Sequence, residues 1–197
     1  MIRAIIKFVL KITTLLLYRV KVIGKENIEK DKPYILCPNH ISNWDPPTMV
    51  AALKRNDVYI LAKEELFANG FLEWLAVKVH AVKVRRGKHD MSLLKNCTKV
   101  LKENHIVLMF PEGTRNGIKK KGKIQNGAVL ISLMSGTPIV PIGIQAKYKP
   151  FVSRVKINIG KPMYFNEYKD KKNDKEVLDE LSKNVMTEMI KLTNEKI

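Results

Sequence analysis

The sequence has little of what several large protein classes require. Its 197 residues include two cysteines, Cys37 and Cys97, with no CxxC pair, so neither a disulfide framework nor a cysteine metal site is expected and a reducing compartment is the default. Aromatic residues make up 7%, and no base-stacking or groove-reading motif of a nucleic-acid-binding protein occurs. No charge-free stretch of about 20 apolar residues is present either, which argues against a spanning helix.

Acidic residues are also scarce, 19 against 36 basic ones, for a formal charge of +17. A chain of this charge attracts polyanions: an anionic bilayer, nucleic acid or an acidic carrier protein. Many of these cations are lysines that can simply lie on solvated faces. Because aromatic stacking residues are few, we expect an anionic membrane surface as a partner and no nucleic acid.

Residues 1–18 are predicted to form an amphipathic helix in front of a single domain, 19–197. One stripe of the helix is polar, and the rest of its surface is apolar; the polar stripe consists of Arg3, Lys7, Lys11, Thr14 and Tyr18. The charges within the apolar stretch and the missing cleavage site argue against a secretory signal. We expect the helix to lie in a membrane interface, with packing on its own domain as the alternative. The protein is then peripheral or monotopic on the cytoplasmic face of the cell membrane.

The remainder alternates between short apolar runs and helical patterns. This alternation predicts one α/β domain with a mixed, largely parallel central sheet flanked by helices. Continuous apolar runs such as 34–37 and 138–145 are typical of strands buried on both faces. A single helix is expected over 64–78, and another opens at Asp90.

Seven residues, Asn39-His40-Ile41-Ser42-Asn43-Trp44-Asp45, follow the first of these buried strands. An imidazole is a suitable general base near neutral pH, and a carboxylate on its far N–H fixes its tautomer. His40 and Asp45 can therefore take a proton from a hydroxyl group. The alternatives are a structural imidazole for His40, a helix N-cap for Asp45, and a Cys37–His40 nucleophile. For Cys37 a buried strand position is favoured.

A second polar cluster, Phe110-Pro111-Glu112-Gly113-Thr114-Arg115-Asn116, follows another apolar run. Arg115 offers a planar fork suited to phosphate, and Gly113 lets the backbone approach a ligand closely. Glu112 can hold a hydroxyl or orient the arginine; a surface salt bridge is its alternative. Ligands of α/β sheets bind beyond the carboxyl ends of the strands, where His40 and Glu112 both fall. No metal ligand set is visible, and the chemistry needs no metal or other cofactor.

Together the two clusters resemble the signature of the glycerolipid acyltransferases, Asn-His-x-x-x-x-Asp followed some seventy residues later by Phe-Pro-Glu-Gly-Thr-Arg. The bacterial 1-acyl-sn-glycerol-3-phosphate acyltransferases are the most similar branch. The likeness covers roughly residues 18–165. It includes a middle block at Val84-Arg85-Arg86-Gly87 and a structural block at Thr137-Pro138-Ile139-Val140-Pro141.

The resemblance implies that His40 is the general base on the sn-2 hydroxyl of lysophosphatidic acid, with Asp45 as its partner. The hydroxyl then attacks the thioester of acyl-CoA or acyl carrier protein directly, giving phosphatidic acid for phospholipid biosynthesis. The lysophospholipid site implied by the family takes in Arg86, Glu112, Gly113, Thr114 and Arg115.

The sequence departs from the family pattern at Gly70, Glu73, His80 and Arg85. In the family these positions surround the acceptor and the acyl tunnel. Another lyso-acceptor, such as an amino-acid lipid or lysophosphatidylglycerol, is therefore the alternative substrate.

Overall fold

The computed structural model describes residues 2–53, 55–68, 70–84, 91–113, 115 and 125–194. The strands in this part of the chain are β1 Arg19–Ile23, β2 Tyr34–Pro38, β3 Val58–Lys63, β4 Ala81–Val84, β5 Ile106–Leu108, β6 Ile139–Gln145 and β7 Arg154–Ile159. The helices are α1 Ile2–Leu17, α2 Asp45–Ala52, α3 Gly70–Lys78, α4 Met91–Lys102, α5 Gly127–Ser135 and α6 Lys175–Asn194. Asp90, the expected start of α4, lies outside the described residues.

The strands form one seven-stranded sheet in the order β1-β7-β6-β2-β5-β3-β4. Only the β6–β7 pair is antiparallel among the pairings described. The prediction of a mixed, largely parallel sheet is confirmed. Because β2 pairs in parallel with both β5 and β6, the segments that follow β2 and β5 leave the sheet at the same edge.

Helices cover both faces of the sheet. On one face Leu36 and Ile142 pack with Tyr18 and with Met49 of α2. On the other face, side chains of alternate residues in the same strands pack with α4, α5 and α6. Every residue of β2 is buried, as its continuous apolar run predicted.

The prediction of one helix over 64–78 is wrong. A 3₁₀ turn spans Glu64–Phe67, where the N–H of Ala68 donates to the carbonyl of Glu65, and α3 begins separately at Gly70. A glycine within a helix is unfavourable, and the predicted continuous helix is therefore interrupted before Gly70. Trp74, expected on the apolar side of that helix, is 46% exposed.

The N-terminal helix is confirmed as a helix, but two residues of its predicted polar stripe are not on its exposed side. Thr14 and Tyr18, expected on the polar stripe, are buried against the domain. The Thr14 hydroxyl donates to the carbonyl of Leu10 at 2.7 Å, so its burial leaves no polar group unpaired. The exposed side of α1 is instead largely apolar, with the side chains of Ile5, Phe8, Val9, Ile12, Leu15 and Leu16. No helix within the described residues is long and apolar enough to cross a bilayer.

Candidate active site

The segment after β2 is fixed to the neighbouring strand β6 by Asn39. Its side-chain amide donates to the carbonyl of Ile144 at 3.1 Å, and its side-chain oxygen accepts from the N–H of Ile144 at 2.6 Å. These paired bonds are buried, so they hold the chain direction at the end of β2 firmly. His40 therefore lies at the carboxyl edge of the sheet, just after the central strand β2.

Asp45 folds back from the first residue of α2 onto His40. The Nδ1 of His40 lies 2.7 Å from Oδ2 of Asp45, and the same oxygen accepts the N–H groups of Ile41 and Ser42, each at 2.7 Å. An ionised carboxylate only accepts, so Nδ1 carries the proton and Nε2 is the ring nitrogen left for a substrate. This is the geometry that a general base requires.

The expectation of Asp45 as a helix N-cap is wrong. The cap position is Trp44, and Asp45 is already helical; its Oδ2 accepts from His40, Ile41 and Ser42, which precede the helix. Its carboxylate points to the preceding turn because three donors converge there, more than the first turn of a helix offers a capping side chain. The side chain of Asp45 has no solvent exposure.

Glu112 joins the second cluster to the first. Its Oε1 accepts the backbone N–H of His40 at 2.8 Å, across 72 positions of sequence. The residue is buried, so the alternative of a surface salt bridge is wrong. Since the bond is to the main chain of His40, Glu112 fixes the base in place from the side of β5.

The imidazole of His40 also stacks on Phe110. Their ring centroids are 4.2 Å apart with an interplanar angle of 28°, and the His40 side chain is 18% exposed. Phe110 shields one ring face while the ring remains open to solvent. The second cluster thus supplies both a wall and a backbone anchor for the base.

The turn after Phe110 depends on Gly113. Its φ is 64°, in the left-handed region that favours glycine, and its N–H donates to the carbonyl of Phe110 at 3.1 Å. Arg115 lies just beyond this turn with its side chain exposed. The other predicted binding residues, Arg86 and Thr114, lie outside the described residues.

Cys37 does not act as a nucleophile here. Its side chain is completely buried in the core shared with α4 and α5, on a strand with no exposed residue. Burial raises the pKa of the Cys37 thiol far above neutrality, whereas the reactive form is the thiolate. Cys97 is buried as well, and burial raises its pKa to about 12. Both are core residues, as the sequence favoured.

Comparison with known proteins identifies the family of the chain. Residues 19–145 match the family model described as Acyltransferase. The chain is 33% identical over 150 residues to the 1-acyl-sn-glycerol-3-phosphate acyltransferase of Bacillus subtilis, with 74% of each chain covered. The chain belongs to the acyltransferase family.

Two further proteins are similar to this acyltransferase, one in sequence and one in fold. The 1-acyl-sn-glycerol-3-phosphate acyltransferase of Streptococcus pneumoniae is 32% identical over 171 residues, and the match covers 84% of this chain and 62% of the relative. The crystal structure of PlsC, the 1-acyl-sn-glycerophosphate (LPA) acyltransferase of Thermotoga maritima, shares the fold. Its TM-score is 0.68 at 23% identity, and the match covers 99% of this chain and 83% of PlsC.

Some residues around the site of this acyltransferase were not assigned roles from the sequence. Asn39 lies inside the first motif but gives no sign there that it binds β6. Phe110 lies inside the second motif, where its ring contact with His40 could not be foreseen. Tyr148, which faces Asp45, lies outside both motifs. The described residues contain no group of three or more His, Cys, Asp or Glu side chains that could hold a metal ion.

Proposed function

We propose that this protein transfers a fatty acyl group from an acyl thioester to the sn-2 hydroxyl of 1-acyl-sn-glycerol-3-phosphate, giving phosphatidic acid. The observation that carries the proposal is the 2.7 Å contact between Nδ1 of His40 and the buried carboxylate of Asp45, beside Glu112. The names of the relatives support the same substrate. No cofactor enters the reaction; acyl-CoA or acyl carrier protein is the co-substrate.

The proposed reaction is a direct transfer. Nε2 of His40 takes the proton of the acceptor hydroxyl as its oxygen attacks the thioester carbonyl. Asp45 stabilises the imidazolium that forms. When the tetrahedral intermediate collapses, the C–S bond breaks and the thiolate leaves, taking up the proton from the imidazolium. Because the hydroxyl attacks the thioester itself, no acyl-enzyme is formed.

In this proposal, Arg115 and the backbone around Gly113 bind the phosphate group of the acceptor, assisted by Arg86 and Thr114. Arg115 supports this role because its exposed guanidinium follows the turn that bears Glu112. Planar guanidinium groups bind phosphate oxygens in pairs, which a lysine cannot reproduce. The charge of +17 also suits an acidic acyl carrier protein as donor.

The acceptor is tested with a panel of lysolipids and purified protein. We expect kcat/KM for lysophosphatidic acid to exceed that for lysophosphatidylglycerol or an amino-acid lysolipid by at least about tenfold, because a phosphomonoester offers the arginine more charged oxygens. Thiol release from acyl-CoA or acyl carrier protein measures the rate. Equal or better turnover of another lysolipid would assign the protein to that acceptor.

Two variants separate phosphate binding from general charge effects. Arg115→Gln should raise KM for lysophosphatidic acid roughly tenfold or more, and Arg115→Lys should restore only part of the loss. The KM for the acyl donor serves as the internal control and should stay constant. A rise in the donor KM instead would place Arg115 with the thioester.

We also propose that the protein binds the cytoplasmic surface of the cell membrane through α1. Its exposed apolar side chains support this, with Phe8 63% and Leu16 70% exposed. The 150–153 turn extends the same surface, since the N–H of Phe151 donates to the carbonyl of Leu17 at 2.7 Å. Phe151 is 73% exposed. Such a row of apolar side chains fits the boundary between headgroups and acyl chains.

Charge around this surface suits anionic lipids. Lys11 on α1 is exposed, as are Lys147 and Lys149 in the segment that leads to Phe151. Basic side chains near an anionic surface add roughly 1 kcal/mol each to binding. Because α1 packs on α2, whose first residue is Asp45, the proposed membrane surface adjoins the helix that begins at the site.

Membrane binding is tested with substitutions, since deletion of residues 1–18 would also remove the core residue Tyr18. The Phe8→Ser/Leu16→Ser variant should bind vesicles of anionic phospholipid at least about tenfold more weakly, because apolar area is lost from the contact. Vesicle sedimentation measures the effect. Tyr164→Ser is the matched control: Tyr164 is 60% exposed and follows Met163, which pairs with the first residue of β6. Unchanged vesicle binding by the double variant would remove α1 from the membrane contact.

A further inference from the structure

The second oxygen of the Asp45 carboxylate is buried and faces away from His40. Oδ2 accepts three hydrogen bonds, whereas Oδ1 makes none of standard geometry with the described residues. A buried carboxylate oxygen without a donor is costly. The base's partner therefore requires a further donor on its Oδ1 side.

Two buried hydroxyl groups lie close to Asp45, that of Tyr148 and that of Thr48. Thr48 Oγ1, one helical turn after Asp45, and the hydroxyl of Tyr148 are both buried, and neither makes a hydrogen bond of standard geometry with the described residues. Burial first, and then the negative charge of Asp45, raise the pKa of the Tyr148 hydroxyl. Tyr148 therefore stays protonated at working pH and is available as a donor.

The backbone of Tyr148 is held in an unusual conformation. Its φ is 45°, a value that is unfavourable for a bulky residue and that persists where the surroundings impose it. A tight turn follows, in which the N–H of Lys149 donates to Oγ of Ser153 at 2.8 Å. The strained residue thus precedes a firmly closed turn.

Aromatic contacts fix the ring of Tyr148 against the site. It packs edge-on to Tyr18, with centroids 5.2 Å apart at 86°, and Tyr18 packs edge-on to Trp44 at 5.4 Å and 70°. Trp44 directly precedes Asp45. Edge-to-face packing of this kind is favourable and sets the direction of each ring.

We propose that Tyr148 is a positioning residue of the active site, whose hydroxyl donates to Oδ1 of Asp45 and so holds the carboxylate against His40. Thr48 is the neighbouring hydroxyl that completes this buried group. The inference rests on the proposed function of the His40–Asp45 pair and adds a residue outside both sequence motifs.

The test compares Tyr148→Phe with wild type and with Tyr34→Phe. Tyr34 is a fully buried tyrosine at the start of β2, whose hydroxyl accepts the N–H of Glu29 at 3.3 Å. Tyr148→Phe should lower kcat about tenfold with an unchanged acceptor KM, because one charge-assisted bond at the carboxylate is lost. Tyr34→Phe should keep wild-type kcat. Thermal unfolding checks that both variants are folded.

The pH dependence of kcat/KM separates positioning from simple packing. Without the hydroxyl, more negative charge stays on Oδ2 opposite the imidazole, so the acidic limb of the profile should move to higher pH in Tyr148→Phe. Thr48→Val should move it in the same direction. Wild-type kcat with an unmoved limb in Tyr148→Phe overturns the proposal, as does a loss of activity with an unmoved limb.

A measurement without turnover keeps this test independent of the substrate assignment. The proton on Nδ1 of His40 should give a downfield NMR signal, assigned by its loss in His40→Ala, and Tyr148→Phe should shift that signal. An unshifted signal overturns the positioning role even if the acceptor proves to be another lipid. A shifted signal in a protein inactive towards every lysolipid supports the contact and refutes only the proposed function.

Discussion

His40→Ala is expected to lower kcat with lysophosphatidic acid by roughly 10²- to 10⁴-fold, the range that a positioned general base supplies. The Nδ1–Oδ2 contact of 2.7 Å aims Nε2 outward, so the substitution removes the base itself. Thiol release under saturating donor and acceptor measures the loss.

The fold should survive this change. The backbone N–H of His40, which donates to Glu112, is retained in the alanine variant, and so are the N–H groups of Ile41 and Ser42 that bind Asp45. His105→Ala is the matched control: it also removes an imidazole near a carboxylate, 3.4 Å from Asp57, but precedes β5 at the opposite edge of the sheet. Turnover that persists in His40→Ala and is lost in His105→Ala would end the assignment of the base.

Much of the fold could be predicted because the strands have clear apolar patterns in the sequence. The run over β2 is continuous, apolar and bounded by prolines, and only a strand buried on both faces accommodates such a run in five residues. A local signal also ends α5, where Gly136 adopts the left-handed conformation that glycine adopts most readily. Local signals were sufficient at both places.

Tertiary contacts decided the features that the sequence did not predict. The polar pattern of α1 indicated a solvated stripe, yet Thr14 pairs with its own helix and Tyr18 packs beneath Trp44, so both can be buried. At Asp45, local capping rules did not anticipate the three donors that draw its carboxylate towards His40. Tyr148 reaches the same carboxylate from beyond β6, more than a hundred positions away, where no short-range pattern could reveal it.

Motif spacing predicted that His40 and Glu112 share an edge of the sheet, but it did not predict how they contact. The sequence left Glu112 free to bind a hydroxyl or an arginine, whereas the structure shows its Oε1 on the backbone of His40. Side chains at strand ends share an edge because parallel pairing places them there. Which atoms these side chains contact depends on the conformation of the loops, and the spacing of apolar residues along the sequence does not determine that conformation.

Asp45→Asn is expected to lower kcat about 10²-fold while leaving the acceptor KM unchanged, a smaller loss than the roughly 10⁴-fold found when the aspartate of a serine-protease triad is exchanged in this way. In that triad the amide imposes the wrong tautomer. Here the N–H groups of Ile41 and Ser42 both point at Oδ2, so the asparagine carbonyl takes that position and Nδ1 of His40 keeps its acceptor. The variant loses the charge that stabilises the imidazolium and keeps the orientation.

Asp45→Ala distinguishes charge from orientation. It removes the acceptor of all three donors at once, so kcat should fall to the level of His40→Ala. The free energy of unfolding should fall by about 2–4 kcal/mol, because buried donors lose their partner. Steady-state kinetics and denaturant unfolding on the three variants provide the measurement. If Asp45→Asn were as inactive as Asp45→Ala yet fully stable, orientation by the two N–H groups would be wrong, and the carboxylate charge alone would account for the effect of Asp45.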